Sequence, residues 1–234
     1  MIERIIESAI LNDFLRKKVI VLLGARQVGK TTLLESLRKK GQKVFSVNCD
    51  DMDDVLLIEE KTSTELRALL APYDLVFIDE AQRVKNIGLT LKKIGDLKLD
   101  TQVVVTGSSS LELADEVNEP ATGRLIEYRL FPFSLSELAT HTSEREEQRM
   151  LEQRLIYGLY PEVVTFPGDA KRTLMTLANN YLYKDLFSYR GLKKPDVLQK
   201  LLRALALQLG SEVSYNELSN LLGVDKETVE NYIN

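Results

Sequence analysis

The stretch from Val19 to Leu34, VIVLLGARQVGKTTLL, constrains the fold more than any other part of the chain. Its uninterrupted apolar run, Val19 to Leu23, has the character of a strand buried on both faces. Gly24, four variable residues, Gly29, Lys30 and Thr31 follow, which is the Walker A spacing. Each residue type has a mechanical reason. Glycines let the backbone turn without a Cβ, so that successive N–H groups can converge on phosphate oxygens. Lys30 places a point charge for the β- and γ-phosphates, and the hydroxyl of Thr31 supplies one Mg²⁺ position. The helix that starts at Lys30, with Leu33, Leu34 and Leu37 on one face, turns its positive end toward the anion. The expected nucleotide contacts are therefore Gly24, Ala25, Arg26, Gln27, Val28, Gly29, Lys30, Thr31 and Thr32.

A second run, Leu75-Val-Phe-Ile-Asp-Glu80, lies about fifty residues downstream. Four apolar residues ending in two acids predict a buried strand with carboxylates at its carboxyl end, where parallel sheets bind ligands. Asp79 is then expected to hold Mg²⁺. Glu80 is expected to accept a proton from, or polarise, an attacking water. A third strand-like run, Thr101 to Thr106, ends in Gly107-Ser-Ser-Ser110. Thr106 and Ser108 are candidates for contacting a γ-phosphate or the water, the alternative being a serine that caps the helix expected from Leu111.

The remaining pattern surrounds these strands with helices. Ile2, Ile5, Ile6, Ala9, Ile10 and Phe14 fall at helical spacing, and the helix is expected to end at Arg16-Lys-Lys18, a solvated basic end. Lys43 to Asn48 alternates as a strand. The acids Asp50, Asp51, Asp53 and Asp54 lack the spacing of a calcium loop and suit a polar loop that caps a helix. Helices are expected over Thr62–Leu70, opened by Thr62 or Ser63, and around Ile87–Leu97. Pro120 breaks the chain, and Gly123-Arg124 introduces a fifth strand, Leu125 to Leu130. From Ser134 onward the pattern is helical: 134–139, 144–157, 171 to about 189, and 196–209. Ser214 to Ile233 reads as helix, Gly223 turn, helix, with Leu218, Leu221, Leu222, Val224, Val229 and Ile233 spaced to close two short helices on a third. The predicted organisation is an α/β core over 1–133, a helical lid-like region over 134–194, and a helix-turn-helix over 195–234 that reads as a winged helix cut short at Asn234.

Composition excludes several classes. A net charge of −4 carries no general signal for nucleic acid. One cysteine, Cys49, cannot form an internal disulfide and suits a reducing cytoplasm; with no histidine near it in sequence it reads as a small buried residue. No apolar run reaches the ~20 residues of a membrane span. The second helix of the C-terminal pair offers Lys226, Glu227, Glu230 and Asn231, and its two acids oppose phosphate, so duplex DNA binding through that face is expected to be weak.

On these residues the chain resembles prokaryotic AAA+-type (P-loop, ASCE-type) ATP-binding proteins, which join an ATPase core to a winged-helix region and a C-terminal domain of unknown function. The likeness is carried by residues 24–34, by Phe77-Ile-Asp-Glu-Ala-Gln82 and Val105-Thr-Gly-Ser-Ser109, and by Gly123-Arg-Leu125, Phe131-Pro-Phe-Ser134 and Gly158-Leu-Tyr-Pro-Glu-Val163. It implies ATP and Mg²⁺ as ligands, a possible homo-oligomer, and a protein or DNA partner for the C-terminal region. It also implies that Arg124 resembles the arginine that reaches a neighbour's γ-phosphate; an arginine at a strand start can equally pair with a nearby acid. ATP hydrolysis that moves the helical region, and a nucleotide-gated binding module with little hydrolysis, are the two functions these residues allow. A GTPase is disfavoured by the lack of an Asn-Lys-x-Asp stretch.

Overall fold

The computed structural model describes residues 2–38, 41–108, 123–179 and 195–233. These form two compact units, Met1–Lys171 and Arg172–Asn234. Ser109, Ser110, the helix expected from Leu111, the break at Pro120, the extension of a helix toward Tyr189, and Asn234 lie outside the described residues.

The first unit is built on a five-stranded sheet: β1 (Val19–Leu23), β2 (Val44–Asn48), β3 (Leu75–Asp79), β4 (Gln102–Gly107) and β5 (Leu125–Arg129). Every pairing is parallel, in the spatial order β2-β3-β4-β1-β5. The three central strands are the three continuous apolar runs of the sequence, and β1 and β4 are buried at every position. The edge strands β2 and β5 are only partly covered, which matches their mixed composition.

Alternation along the strands divides the core. Val19, Val21, Leu23, Val76, Ile78, Val103 and Val105 face one layer of helices: α3 (Met52–Ile58), α4 (Ser63–Leu70) and α5 (Ile87–Asp96). Ile20, Leu22, Leu75, Phe77 and Val104 face the other, where α1 (Ile5–Asp13) contributes Ile10 and α2 (Lys30–Ser36) contributes Leu33 and Leu34. This is a helix–sheet–helix sandwich.

Local chemistry starts the helices. Thr62 caps α4 in a full capping box with Glu65, and Ser134 does the same with Glu137 for α6 (Leu135–His141). Asp51 accepts the N–H of Asp53 and caps α3, so the acidic run is a helix start. The expected cap thus opens α3, whose extent to Ile58 the sequence pattern does not mark. The continuous helix expected over 144–157 is two, α7 (Glu144–Arg149) and α8 (Leu151–Tyr157), separated at Met150. The link expected at 158–162 gives way at Pro161, which opens α9 (Pro161–Thr165) from the first helical position. The basic triplet after α1 is partly paired, Arg16 with Asp13 and Lys17 with Asp100.

α10 (Ala170–Leu177) spans the division between the units. The second unit continues with α11 (Pro195–Leu207), α12 (Tyr215–Leu222) and α13 (Lys226–Ile233). Gly223 ends α12 at φ 65°, and its N–H returns to the carbonyl of Ser219, as a left-handed helix end requires. Leu201, Ala204, Leu218 and Val229 form the small core of this unit. Leu221, expected to pack there, is instead 68% exposed, because the helix turn between Leu218 and Leu222 rotates it outward.

Candidate functional site

Because all five strands run the same way, Gly24 after β1, Asp79 at the end of β3 and Gly107 at the end of β4 meet at one edge of the sheet. The loop from Gly24 to Gly29 has reasons for its glycines. A Cβ at Gly24 would lie 2.6 Å from the carbonyl oxygen of Leu130, where the chain leaving β5 crosses the loop. Gly29 stands at φ 96° as the N-cap of α2, a conformation costly for other residues.

Lys30 opens α2 and is 5% exposed. Its Nζ donates to the carbonyls of Gly24 at 2.9 Å and Ala25 at 3.1 Å, and stands 4.0 Å from Oε1 of Glu80. The next residue, Thr31, donates its hydroxyl to Oδ2 of Asp79 at 3.0 Å. The other carboxylate oxygen, Oδ1, accepts from the fully buried Thr106 hydroxyl, which in turn accepts the N–H of Glu80 at 3.1 Å. Glu80 itself takes a left-handed backbone, φ 55° and ψ 40°. Such a conformation costs a non-glycine residue about 1–2 kcal/mol, and the Thr106 hydrogen bond helps hold it.

Five sequence candidates are thus brought together: Lys30, Thr31, Asp79, Glu80 and Thr106. Ser108 joins through its backbone, whose N–H donates to Oε1 of Gln82 at 3.2 Å. Ala25, Arg26, Gln27 and Thr32 lie on or beside the loop, Gln27 and Thr32 exposed. Val28 is a different case. Its side chain is wholly buried in the core, so only its backbone can serve the loop. Arg124 is not part of the constellation. It precedes β5 at the amino edge of the sheet, opposite the loop, and its guanidinium pairs with Asp96.

The oxygen set suits a small hard cation. Asp79 and Thr31 offer one carboxylate and one hydroxyl, and among the described residues no three His, Cys, Asp or Glu side chains cluster to hold a metal. That is the sparse protein contribution Mg²⁺ accepts when phosphates and waters complete its shell.

Two contributors receive no role from the sequence pattern, although one of them closes the Phe77–Gln82 stretch. Gln82 donates its amide N–H to Oε2 of Glu80 at 2.5 Å. Arg4 is 8% exposed and reaches four partners: Glu137 at 3.1 Å, the Val28 carbonyl at 3.0 Å, the Phe131 carbonyl at 2.5 Å, and the face of Phe133 at 4.7 Å. It ties the phosphate-type loop to the chain that leads into α6. A charged residue preceding an apolar helix face reads as solvated, so only the glutamate of the α6 capping box hints at a partner.

Cys49 follows β2 and is buried, with its N–H on the Asp79 carbonyl at 2.9 Å. Burial, reinforced by Asp54, Asp79, Asp50 and Glu80, pushes its thiol up to about 12. A thiol this weakly acidic is no nucleophile at neutral pH. Folded protein is therefore expected to resist iodoacetamide at pH 8, with alkylation by mass spectrometry appearing only in denaturant; rapid modification of the native chain would overturn this.

A parallel sheet in this order, with a glycine-lysine-threonine loop after β1 and an acid pair closing β3, defines a P-loop NTPase fold of the AAA type. The chain belongs to the AAA domain family, whose model matches residues 16–139. Residues 148–234 match a domain of unknown function, DUF8612. Curated relatives are an uncharacterized protein of Haemophilus influenzae, 25% identical over 94% of this chain and 58% of its own length, and two uncharacterized proteins of Methanocaldococcus jannaschii. The latter are each 24% identical, over 92% and 97% of this chain and 54% and 56% of their own lengths. The chain thus spans little more than half the length of these relatives. Among solved structures, the Walker-type ATPase PABY2304 of Pyrococcus abyssi matches with a TM-score of 0.60 at 18% identity, over 100% of this chain and 88% of that one. At that identity the likeness establishes the fold. No helix among the described residues is long and apolar enough to cross a membrane.

Proposed function

We propose that the chain binds ATP with Mg²⁺ and hydrolyses it, and that the nucleotide state is relayed to the helical segment after Phe133. The observation that carries this reading is the convergence of Lys30, Thr31, Asp79, Glu80 and Thr106 at one sheet edge. Lys30 would exchange its loop carbonyls for β- and γ-phosphate oxygens. Thr31 and Asp79 would hold Mg²⁺, which would supply positive charge against the negative charge that develops on the phosphates. Glu80 would take a proton from the water that attacks the γ-phosphorus as the bond to ADP breaks. The relay rests on Arg4, which joins the Val28 carbonyl to Glu137 of α6, and on the nearness of α9 to the loop, Pro161 lying 4.0 Å from where a Cβ on Gly29 would stand.

Phosphate release from ATP, measured with Mg²⁺ and again with excess EDTA, tests the proposal. Turnover that depends on the cation is expected. ATP binding without release would favour the nucleotide-gated module instead, and neither binding nor release would overturn both.

A further inference from the structure

The proposed base, Glu80, is held by Gln82, the last residue of the Phe77–Gln82 stretch, to which the sequence reading gives no role. Gln82 lies two positions on, in the short 3₁₀ turn Ala81–Arg83. Its amide spans a gap between two strands' ends. Nε2 donates to Oε2 of Glu80 at 2.5 Å, while Oε1 accepts the backbone N–H of Ser108, just past β4, at 3.2 Å. Chemistry allows only this orientation, since a backbone N–H can only donate and a carboxylate in this role accepts. The other carboxylate oxygen, Oε1 of Glu80, is then the one turned toward Lys30, at 4.0 Å. The backbone of Glu80 is separately fixed through Thr106, so Gln82 governs the side chain and Thr106 the main chain.

We infer that Gln82 is a positioning residue that sets the orientation of the Glu80 carboxylate and makes it follow the backbone of Ser108. Resting on the reading of Glu80 as the base, this deepens it. Ser108, just past β4, is a residue where a γ-phosphate contact is expected, so a shift of Ser108 reaches the base through one rigid amide. The two hydrogen bonds of that amide involve neither the Gly24–Thr32 loop nor Asp79, so losing it should spare nucleotide and Mg²⁺ binding.

The test compares the wild type with Gln82→Met, Gln82→Asn, Glu80→Gln and the Gln82→Met/Glu80→Gln double variant, all as the whole chain, in ATP turnover and nucleotide titration. Methionine keeps the length without the amide. Asparagine keeps the amide but is too short to span both partners, and it serves as the second probe should the first fail to fold. Misplacing a catalytic group by a fraction of an ångström to about 1 Å costs up to roughly 10²-fold, so kcat should fall by roughly 10- to 100-fold with KM and ATP affinity unchanged. In the Glu80→Gln background the Met substitution should add no further loss, because the group it positions is already disabled. A merely structural residue would instead lower stability or raise KM. Wild-type kcat in both single Gln82 variants, beside an inactive Glu80→Gln, would overturn the positioning role alone. Losses that simply multiply in the double variant would overturn it too. Wild-type turnover by Glu80→Gln would bring down the base assignment, and the bridge with it.

Discussion

Glu80→Gln should bind ATP as tightly as the wild type and hydrolyse it about 10²-fold more slowly or worse, the usual contribution of a positioned base. The substitution is nearly isosteric. The Glu80 N–H that Thr106 accepts is untouched, and the new amide oxygen can still accept from Gln82, while the charge opposite Lys30 is lost. What it removes is the capacity to take a proton from water. Single-turnover kinetics with saturating protein separates this from binding. A variant that turns over at the normal rate would mean another group activates the water.

A second large effect is expected far from the chemistry in sequence. Arg4 and Glu137 are 8% and 7% exposed and joined at 3.1 Å. Glu137 also accepts the N–H groups of Ile5 at 3.0 Å and Ser134 at 2.8 Å. Burial by itself would raise the Glu137 carboxyl, yet the hydrogen bonds from Ser134, Ile5 and Arg4, with the Arg4 charge, hold it below its usual value of 4.5. Removing one partner of such a pair leaves a buried charge uncompensated, which costs about 3–5 kcal/mol. Arg4→Ala should therefore lower the thermal midpoint by roughly 10 °C, at about 2–4 °C per kcal/mol for a unit of this size. It should also weaken ATP binding, since the Val28 carbonyl loses its donor. An unchanged midpoint by circular dichroism would show the pair to be dispensable.

The same pair gives a pH dependence of definite sign. A carboxylate with a depressed folded pKa contributes stability that is fully present above its unfolded value and is lost as pH falls through the folded one. Melts of the wild type should lose that contribution progressively below about pH 4.5. Glu137→Gln should be less stable at neutral pH and flatter across the acid range.

Much of the core is legible in the sequence because its signals are local. Three strands buried on both faces appear as unbroken apolar runs, and the loop chemistry of Gly24 to Thr31 lies within one turn of chain. Asp79 and Glu80 follow from the rule that parallel strands present ligands at their carboxyl ends. What stays hidden depends on distant partners. Arg4 meets Glu137 across 133 positions and Ser108 meets Gln82 across 26, and neither spacing leaves a periodic trace. The helix α3 is masked by the acids that begin it, because only Val55 and Ile58 of its residues are buried. Leu221 shows the opposite failure: an apolar residue beside a buried one reads as core although the helix turns it to the surface. Arg124 can be read two ways from sequence, and in the structure its own chain supplies Asp96 as its partner.

The central claim is that the Gly24–Thr32 loop binds ATP through Lys30. Isothermal titration of ATP with Mg²⁺ into the wild type and into Lys30→Ala addresses it most directly. Lys30 is the buried ammonium at the start of α2, and without it the β- and γ-phosphates lose the charge expected to meet them. The wild type should give a saturable one-site isotherm, and Lys30→Ala should show no measurable heat of binding at the same concentrations. Equal affinity in the two proteins would contradict the assignment.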